Sequence, residues 1–199
     1  QASSTARVSV ATGIVQRVHA LASQHPHAAI CCDSGKCFRH DLLPDYKGTR
    51  PERDAAMIHQ FNLAAEALRA DGFPVWSVEG FEADDLLASA VFKAGDSPVL
   101  IVSDDKDLLQ LVSATVRQKR LSKAEIWTAD TVFSVLGVQP VQVLDYLCLV
   151  GDTSDNVKGA TGIGAKRAAE LLATYGSIKA LYEAIDKGEA KLTNGIANS

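Results

Sequence analysis

The chain has 199 residues, 47% of them hydrophobic, and a formal net charge of −4. Such a length and apolar share give one folded core, with at most a small appendage, and exclude a disordered chain. They also exclude a protein that holds nucleic acid by net charge alone, and no apolar run reaches the ~18–20 residues needed to cross a bilayer.

The chain starts with small, mostly polar residues, unlike a signal peptide. The four cysteines, Cys31, Cys32, Cys37 and Cys148, form no C-x-x-C pair, so zinc is not expected. They read as buried free thiols in a reducing cytoplasm.

Residues 8–23 carry Val10, Ile14, Val18 and Leu21 at helical spacing. Residues 28–32 form a short apolar run ending at Asp33 and read as a buried strand. The polar stretch after it, an arch at about 36–54, is broken by Pro44 and Pro51. Residues 55–70 read as an amphipathic helix, with Ile58, Phe61, Leu63, Ala64, Ala67 and Leu68 on its apolar face and Gly72 as its stop. A strand at 75–78, a helix at 83–93, a strand at 99–102 and a helix beginning at 108–112 follow. Beyond Gln139, helices are expected at 141–150, 166–175 and 177–185, with a Gly-, Asp- and Ser-rich stretch at 151–166.

Alternating strands and helices argue for a parallel sheet covered by helices, whose ligands gather at the carboxyl ends of the strands. Asp33 follows one strand, Glu82 to Asp85 another, and Asp105 and Asp107 a third. A fourth acidic group, Asp152 and Asp155, lies three residues apart and would share one face of a helix.

Each group has a plain structural reading. Glu82, Asp84 and Asp85 suit a helix N-terminus, and Asp152 and Asp155 suit a turn. Together they would repel strongly without cations. Mg²⁺ and Mn²⁺ prefer oxygen ligands, and two such ions about 4 Å apart can activate water and stabilise the leaving oxygen of a phosphodiester. Between Glu79 and Asp107 stand eight acidic residues against two basic ones, a net of −6 that leaves +2 for the rest. A solvated acidic face gives that pattern, and so does a nuclease, whose carboxylates hold cations and whose basic surround holds phosphates.

The glycine-rich turn at 159–167 is not a Walker A loop, because Ala165 stands where that motif needs Lys. Nor is it a dinucleotide fingerprint, because Arg167 holds the third glycine position. Gly162-Ile-Gly164 between two helices fits a helix–hairpin–helix, with backbone N–H groups, Lys166 and Arg167 facing a phosphate. A plain helical turn with a capping glycine is the bland alternative. In the arch, Arg39, His40, Tyr46, Lys47, Arg50 and Arg53 form a basic cluster that can grip a phosphate, with Tyr46 stacked on a base. Arg117, Lys119, Arg120 and Lys123 read as a solvated turn.

The segments C-D-S-G-K-C-F-R-H-D-L-L-P-D-Y-K-G-T-R-P, G-F-E-A-D-D-L-L-A, S-D-D-K-D-L-L-Q-L and G-D-T-S-D-N-V-K-G-A-T-G-I-G-A-K-R-A occur in that order. They resemble the 5′-3′ exonuclease family, which includes the N-terminal domain of bacterial DNA polymerase I and phage flap endonucleases. The resemblance covers nearly the whole chain. It implies a PIN-like sheet with a helical arch over residues 1–138, and a helix–three-turn–helix DNA-binding subdomain, truncated, over 139–199.

By the same resemblance, Asp33, Glu82, Asp84, Asp85 and Asp105 make a first metal cluster. Asp107, Asp152 and Asp155, with Asp105 nearby, make a second, for two Mg²⁺ or Mn²⁺ ions. Tyr46, Lys47 and Arg50 match arch residues that engage the substrate phosphate, and Arg39 joins them. Lys47, Arg50 and Asp105 are the expected catalytic residues. Gly162, Gly164 and Lys166, with Arg167, match the duplex-binding hairpin, which in the family can hold K⁺. Asp104 has no counterpart.

The implied activity is structure-selective 5′-3′ exonuclease or flap endonuclease cleavage of DNA, in primer or flap removal during replication and repair. Expected partners are DNA 5′ ends, flaps or forks, and a polymerase domain in the same full-length chain; a cytoplasmic monomer without membrane contact is expected. The family opens with a strand ending in a metal-binding aspartate, whereas Asp33 is the first acid here. A fragment cut at both ends is therefore expected, and the alternative is a non-catalytic structure-specific DNA-binding module. An RNA-cleaving PIN toxin is a third reading, which the hairpin and the arch oppose.

Overall fold

The computed structural model describes residues 9–52 and 54–189. In chain order its first elements are α1 (Val10–Ala22), β1 (Ile30–Cys31), α2 (Arg39–Leu42), α3 (Ala55–Ala70), β2 (Val75–Trp76), α4 (Ala83–Ala94) and β3 (Val99–Val102). A 3-10 turn at Asp107–Leu111 leads to β4 (Val116–Arg120), β5 (Glu125–Trp127) and α5 (Ala129–Leu136). A second 3-10 turn, Pro140–Gln142, precedes α6 (Val143–Val150), then β6 (Gly151–Asp152), β7 (Val157–Lys158), α7 (Ala165–Tyr175) and α8 (Ile178–Asp186).

The chain forms two compact units: Gln1–Phe38 with Arg50–Leu86, and Arg39–Thr49 with Leu87–Ser199. In the first unit, Ser9 caps α1 through Thr12 N–H and Asp54 caps α3 through Ala56 N–H. The two helices pack together, and β1 pairs in parallel with β2 through Ile30↔Val75 and Cys31↔Trp76. Only Ala64 and Leu68 of α3 are buried, while Met57, Ile58, Phe61 and Leu63 stay 39% to 44% exposed. The apolar face expected on this helix is thus covered along one narrow stripe.

The second unit holds the deeper core. Its β3 pairs in parallel with β4, which pairs antiparallel with β5. Ile101, Leu108 and Val116 are buried there against Leu87 and Val91 of α4. A larger cluster joins Leu109, Trp127, Val132, Val143, Leu149 and Leu172. This core draws on both sides of residue 138. α5 ends at Gly137, whose φ of 74° stops the helix.

Several expectations change. The run 117–123 is a turn only from Leu121 on, where Lys123 is exposed: Val116–Arg120 is a strand, with Val116 and Gln118 buried and Arg117 between them exposed. The helix expected from 108 is a single 3-10 turn, and α6 starts later than expected because Pro140 opens a separate turn. Asp152 and Asp155 do not share a helix; Asp152 ends β6 and Asp155 sits in the turn before β7. Of the cysteines only Cys37 is buried and Cys148 is exposed, so burial of all four was too broad. Among the described residues, no single helix is long and apolar enough to cross a membrane. Val8 and Arg53 lie outside the described residues.

Candidate metal centre and phosphate-binding turn

Two arms of the second unit bring three carboxylates together. The first is the loop after β3. Asp105 N–H donates to Ser103 Oγ at 3.1 Å, and Asp107 N–H donates to Asp105 Oδ1 at 2.9 Å. These local bonds fold the loop into a tight turn. Leu108 and Leu109 then drive into the core and fix where Asp107 stands.

The second arm is the turn from β6 to β7. Gly151 and Gly159 cross so closely that a Cβ on either would strike the other's backbone, and Gly151 also has a φ of 82°. Glycine alone allows that crossing, which closes the neck of the turn. Inside it, Asp152 Oδ1 accepts from Ser154 N–H at 2.8 Å and from Ser154 Oγ at 2.7 Å. Asp152 and Asp155 are each 8% exposed.

Asp107, Asp152 and Asp155 each present a carboxylate oxygen, and these oxygens lie within 4.8 Å of one another. Arch residues brace the group. Tyr46 hydroxyl donates to Asp155 Oδ2 at 2.9 Å, and Lys47 N–H donates to the Asp155 carbonyl at 2.9 Å. Asn156 Nδ2 donates to the Asp45 carbonyl at 2.9 Å. Lys47 takes a φ of 56°, a left-handed conformation that a non-glycine residue adopts at a cost. Its Nζ lies 3.9 Å from Asp155 Oδ2, and Lys106 Nζ lies 3.3 Å from Asp152 Oδ2.

The balance of charge is uneven. Burial, then Asp105, Asp152 and Asp155, push the Asp107 carboxyl up to about 6, with Lys106 opposing. One Asp107 oxygen is buried without a hydrogen-bond partner among the described residues. Burial also acts to raise Asp152, but its bonds from Ser154 and the Lys106 ammonium outweigh that and hold it below the usual carboxylate range. Three close carboxylates, all oxygen donors with one oxygen unsatisfied, fit a divalent cation.

The acids of the first unit are arranged differently. Asp33 Oδ1 accepts from Ala83 N–H at 3.0 Å, and Asp85 Oδ2 accepts from Glu82 N–H at 3.0 Å. Both carboxylates cap the start of α4, beside Asp84, and Glu82 is buried. Among the described residues these four make no trio comparable to that of Asp107, Asp152 and Asp155.

Gly162, Gly164, Lys166 and Arg167 are exposed at the start of α7, while Ile163 between the glycines is 7% exposed and anchors the turn. Gly164 caps α7 without a side chain, so the first helical N–H groups carry no side-chain cap. Arg39 opens α2 in the second unit; Arg50 is exposed in the first. Tyr46, expected on a base, is buried with its ring edge-on to His40.

Sequence reading passed over three residues: Lys106, Ser154 and Gln118. Lys106 and Ser154 lie inside motifs already noted; Gln118 had no signal beyond its alternation with Val116. Asp104, set apart from the site, ties the end of β3 to the β4–β5 turn by accepting from Ser122 N–H and Oγ, bonds that hold its carboxyl low.

Family comparison covers the whole chain. Residues 1–137 match the model for the 5′-3′ exonuclease N-terminal resolvase-like domain, and residues 138–199 the 5′-3′ exonuclease C-terminal SAM fold. DNA polymerase I of Bacillus caldotenax is 36% identical over 179 residues, 85% of this chain and 20% of that protein. The 5′-3′ exonuclease of Bacillus subtilis (strain 168) is 36% identical over 185 residues, 88% of this chain and 62% of that protein. The structure of the bacteriophage T5 D15 flap endonuclease in a pseudo-enzyme-product complex with DNA and metal ions superposes with a TM-score of 0.77 at 26% identity, covering 90% of this chain and 72% of that one. The chain thus spans a fifth of one curated relative and under two thirds of the other, and it belongs to the 5′-3′ exonuclease family.

Proposed function

We propose that the chain is the catalytic core of a structure-selective 5′-3′ exonuclease and flap endonuclease, hydrolysing DNA phosphodiesters with divalent cations during primer or flap removal in replication and repair. The observation that carries this reading is the trio of Asp107, Asp152 and Asp155, with a buried Asp107 oxygen that no group among the described residues satisfies. The T5 relative, with its DNA and metal ions, supports the same reading.

Mg²⁺ or Mn²⁺ is the ion proposed at the trio, with Asp105 as a further carboxylate beside it. A second ion is proposed on Asp33, Glu82, Asp84 and Asp85. Such ions, when bound, polarise a phosphodiester and neutralise the charge that develops on it. The chain's own groups hold and orient. Tyr46 fixes Asp155, and Lys47 and Lys106 bring cationic charge to the trio for a phosphate to use. Arg39 extends that grip within the second unit, and Arg50 is proposed as a phosphate contact of the first.

The start of α7, with Lys166 and Arg167, takes a duplex phosphate, and K⁺ is proposed at the Gly162–Gly164 turn. The division at residue 138, a polymerase domain in the same chain, DNA 5′ ends, flaps and forks as substrates, a monomeric state and a cytoplasmic location belong to the same proposal.

The full-length protein, given a 5′-labelled flap duplex and Mg²⁺, is expected to release short 5′ products, and Asp107→Ala to release none. Binding of forked DNA without product under any divalent ion would make the chain a DNA-binding module instead. Cutting by Asp107→Ala at the wild-type rate would overturn the assignment of the trio.

A further inference from the structure

In β4, Val116 and Gln118 are the two core-facing residues. Val116 joins Ile101 and Leu108 in the small core of the second unit. Gln118, at the next inward position, is 0% exposed. Apolar side chains are the usual occupants of such a place. Its amide nitrogen donates to the Ser103 carbonyl at 3.0 Å and to the Asp105 carbonyl at 2.6 Å. Its amide oxygen is buried without a hydrogen-bond partner.

An unsatisfied buried amide oxygen is costly, and a methionine of similar volume would avoid it. What methionine cannot supply is the pair of donated bonds. Both go to the loop that carries Asp105 and Asp107. Ser103 N–H is itself bonded to the Lys119 carbonyl, so β4 holds the loop through its backbone on one side of Gln118 and through the Gln118 side chain on the other. With both carbonyls pinned, the Asp105 backbone cannot turn, and Asp105 Oδ1 stays on Asp107 N–H.

We infer that Gln118 is a positioning residue for the cation site, holding the loop 103–107 so that Asp107 meets Asp152 and Asp155. The inference rests on the reading of that trio as a cation site. It adds a residue from a strand that carries no acid of the site.

The test is Mn²⁺ binding by calorimetry to the full-length protein, with wild type and Asp107→Asn setting the scale. Gln118→Met keeps the core filled and removes the donor. It is expected to bind Mn²⁺ roughly 10–100-fold more weakly, the usual cost of losing an outer partner of a metal ligand. Hydrogen exchange should speed up at the Asp105 and Asp107 amides, while Ile101 and Val116 stay protected, which a merely structural role would not produce. Gln118→Asn retains an amide but is one methylene too short to reach both carbonyls, and the same loss is expected, so the question is answered even where Gln118→Met fails to fold. Wild-type Mn²⁺ affinity in either variant would overturn the inference and leave the trio standing. Identical binding by wild type and Asp107→Asn would instead sink the cation reading, and the role of Gln118 with it.

Discussion

The two sets of acids differ in what their carboxylates already hold. At the start of α4, Asp33 and Asp85 accept backbone N–H groups of Ala83 and Glu82. In the second unit, Asp152 is satisfied by Ser154 and Asp155 by Tyr46, but Asp107 keeps a buried oxygen with no hydrogen-bond partner. The scaffolds differ as well. The first set stands on a unit that buries only a thin stripe of α3, the second on a core running from Leu109 to Leu172. An acid that caps a helix stabilises the fold by itself; an acid held unsatisfied among three others is stabilised only by something it binds. Rigid backing is what allows the second arrangement to persist.

The contrast is broken most severely by removing Asp107. In a flap-cleavage assay, Asp107→Asn is expected to lower the rate more than 100-fold, beyond the roughly 10–100-fold typical of an outer partner. A smaller loss would place Asp107 outside the cation's contacts.

Thermal melting in chelator separates the two sets by sign. Asp85→Ala removes a helix-capping acceptor and should cost about 0.5–2 kcal/mol, whereas Asp107→Asn relieves repulsion and should raise Tm, by about 2–4 °C for each 1 kcal/mol in a chain of this size. Equal signs for both variants would erase the distinction.

The pH dependence follows from the same imbalance. The Asp107 carboxyl is raised from 3.8 to about 6, so its protonated form is favoured in the folded state. Its contribution to stability is fully present below pH ~4 and is lost as pH rises through about 6. Metal-free wild type should therefore lose melting temperature from Asp107 between pH ~4 and about 6, and Asp107→Asn should flatten that slope. An unchanged slope in the variant would show that other groups set it.

The smallest effect on the cation site is expected at the brace. Tyr46→Phe deletes one hydrogen bond to a carboxylate, of a kind that contributes about 1.5–3 kcal/mol. Melting should fall by a few degrees and Mn²⁺ should bind more weakly, without loss of the site. No change in either would mean that Tyr46 does not brace Asp155.

Much of this was legible in the sequence, for identifiable reasons. Helix α3 emerged at its observed bounds, because apolar periodicity and the Asp54 cap agree. Strand β3 did so because an apolar run of four ends at polar Ser103. The acidic groups were visible as clusters, since their spacing is local. Hairpin β4–β5 was hidden because Arg117, Lys119 and Arg120 look like solvent-facing charge, and a strand read through its charges loses its alternation. Gln118 was invisible for the same reason: only the fold reveals that a glutamine stands inside. For Asp152 and Asp155 both a helix face and a turn stayed open, because spacing cannot distinguish a helical turn from a loop closed by Gly151 against Gly159.

The central claim is that Asp107, Asp152 and Asp155 hold one divalent cation. Anomalous scattering from a crystal soaked in Mn²⁺ tests it most directly. The account predicts a peak in contact with one carboxylate oxygen from each of the three, absent in Asp107→Asn. Strong Mn²⁺ peaks elsewhere with none at the trio, or an unchanged peak in the variant, would contradict it.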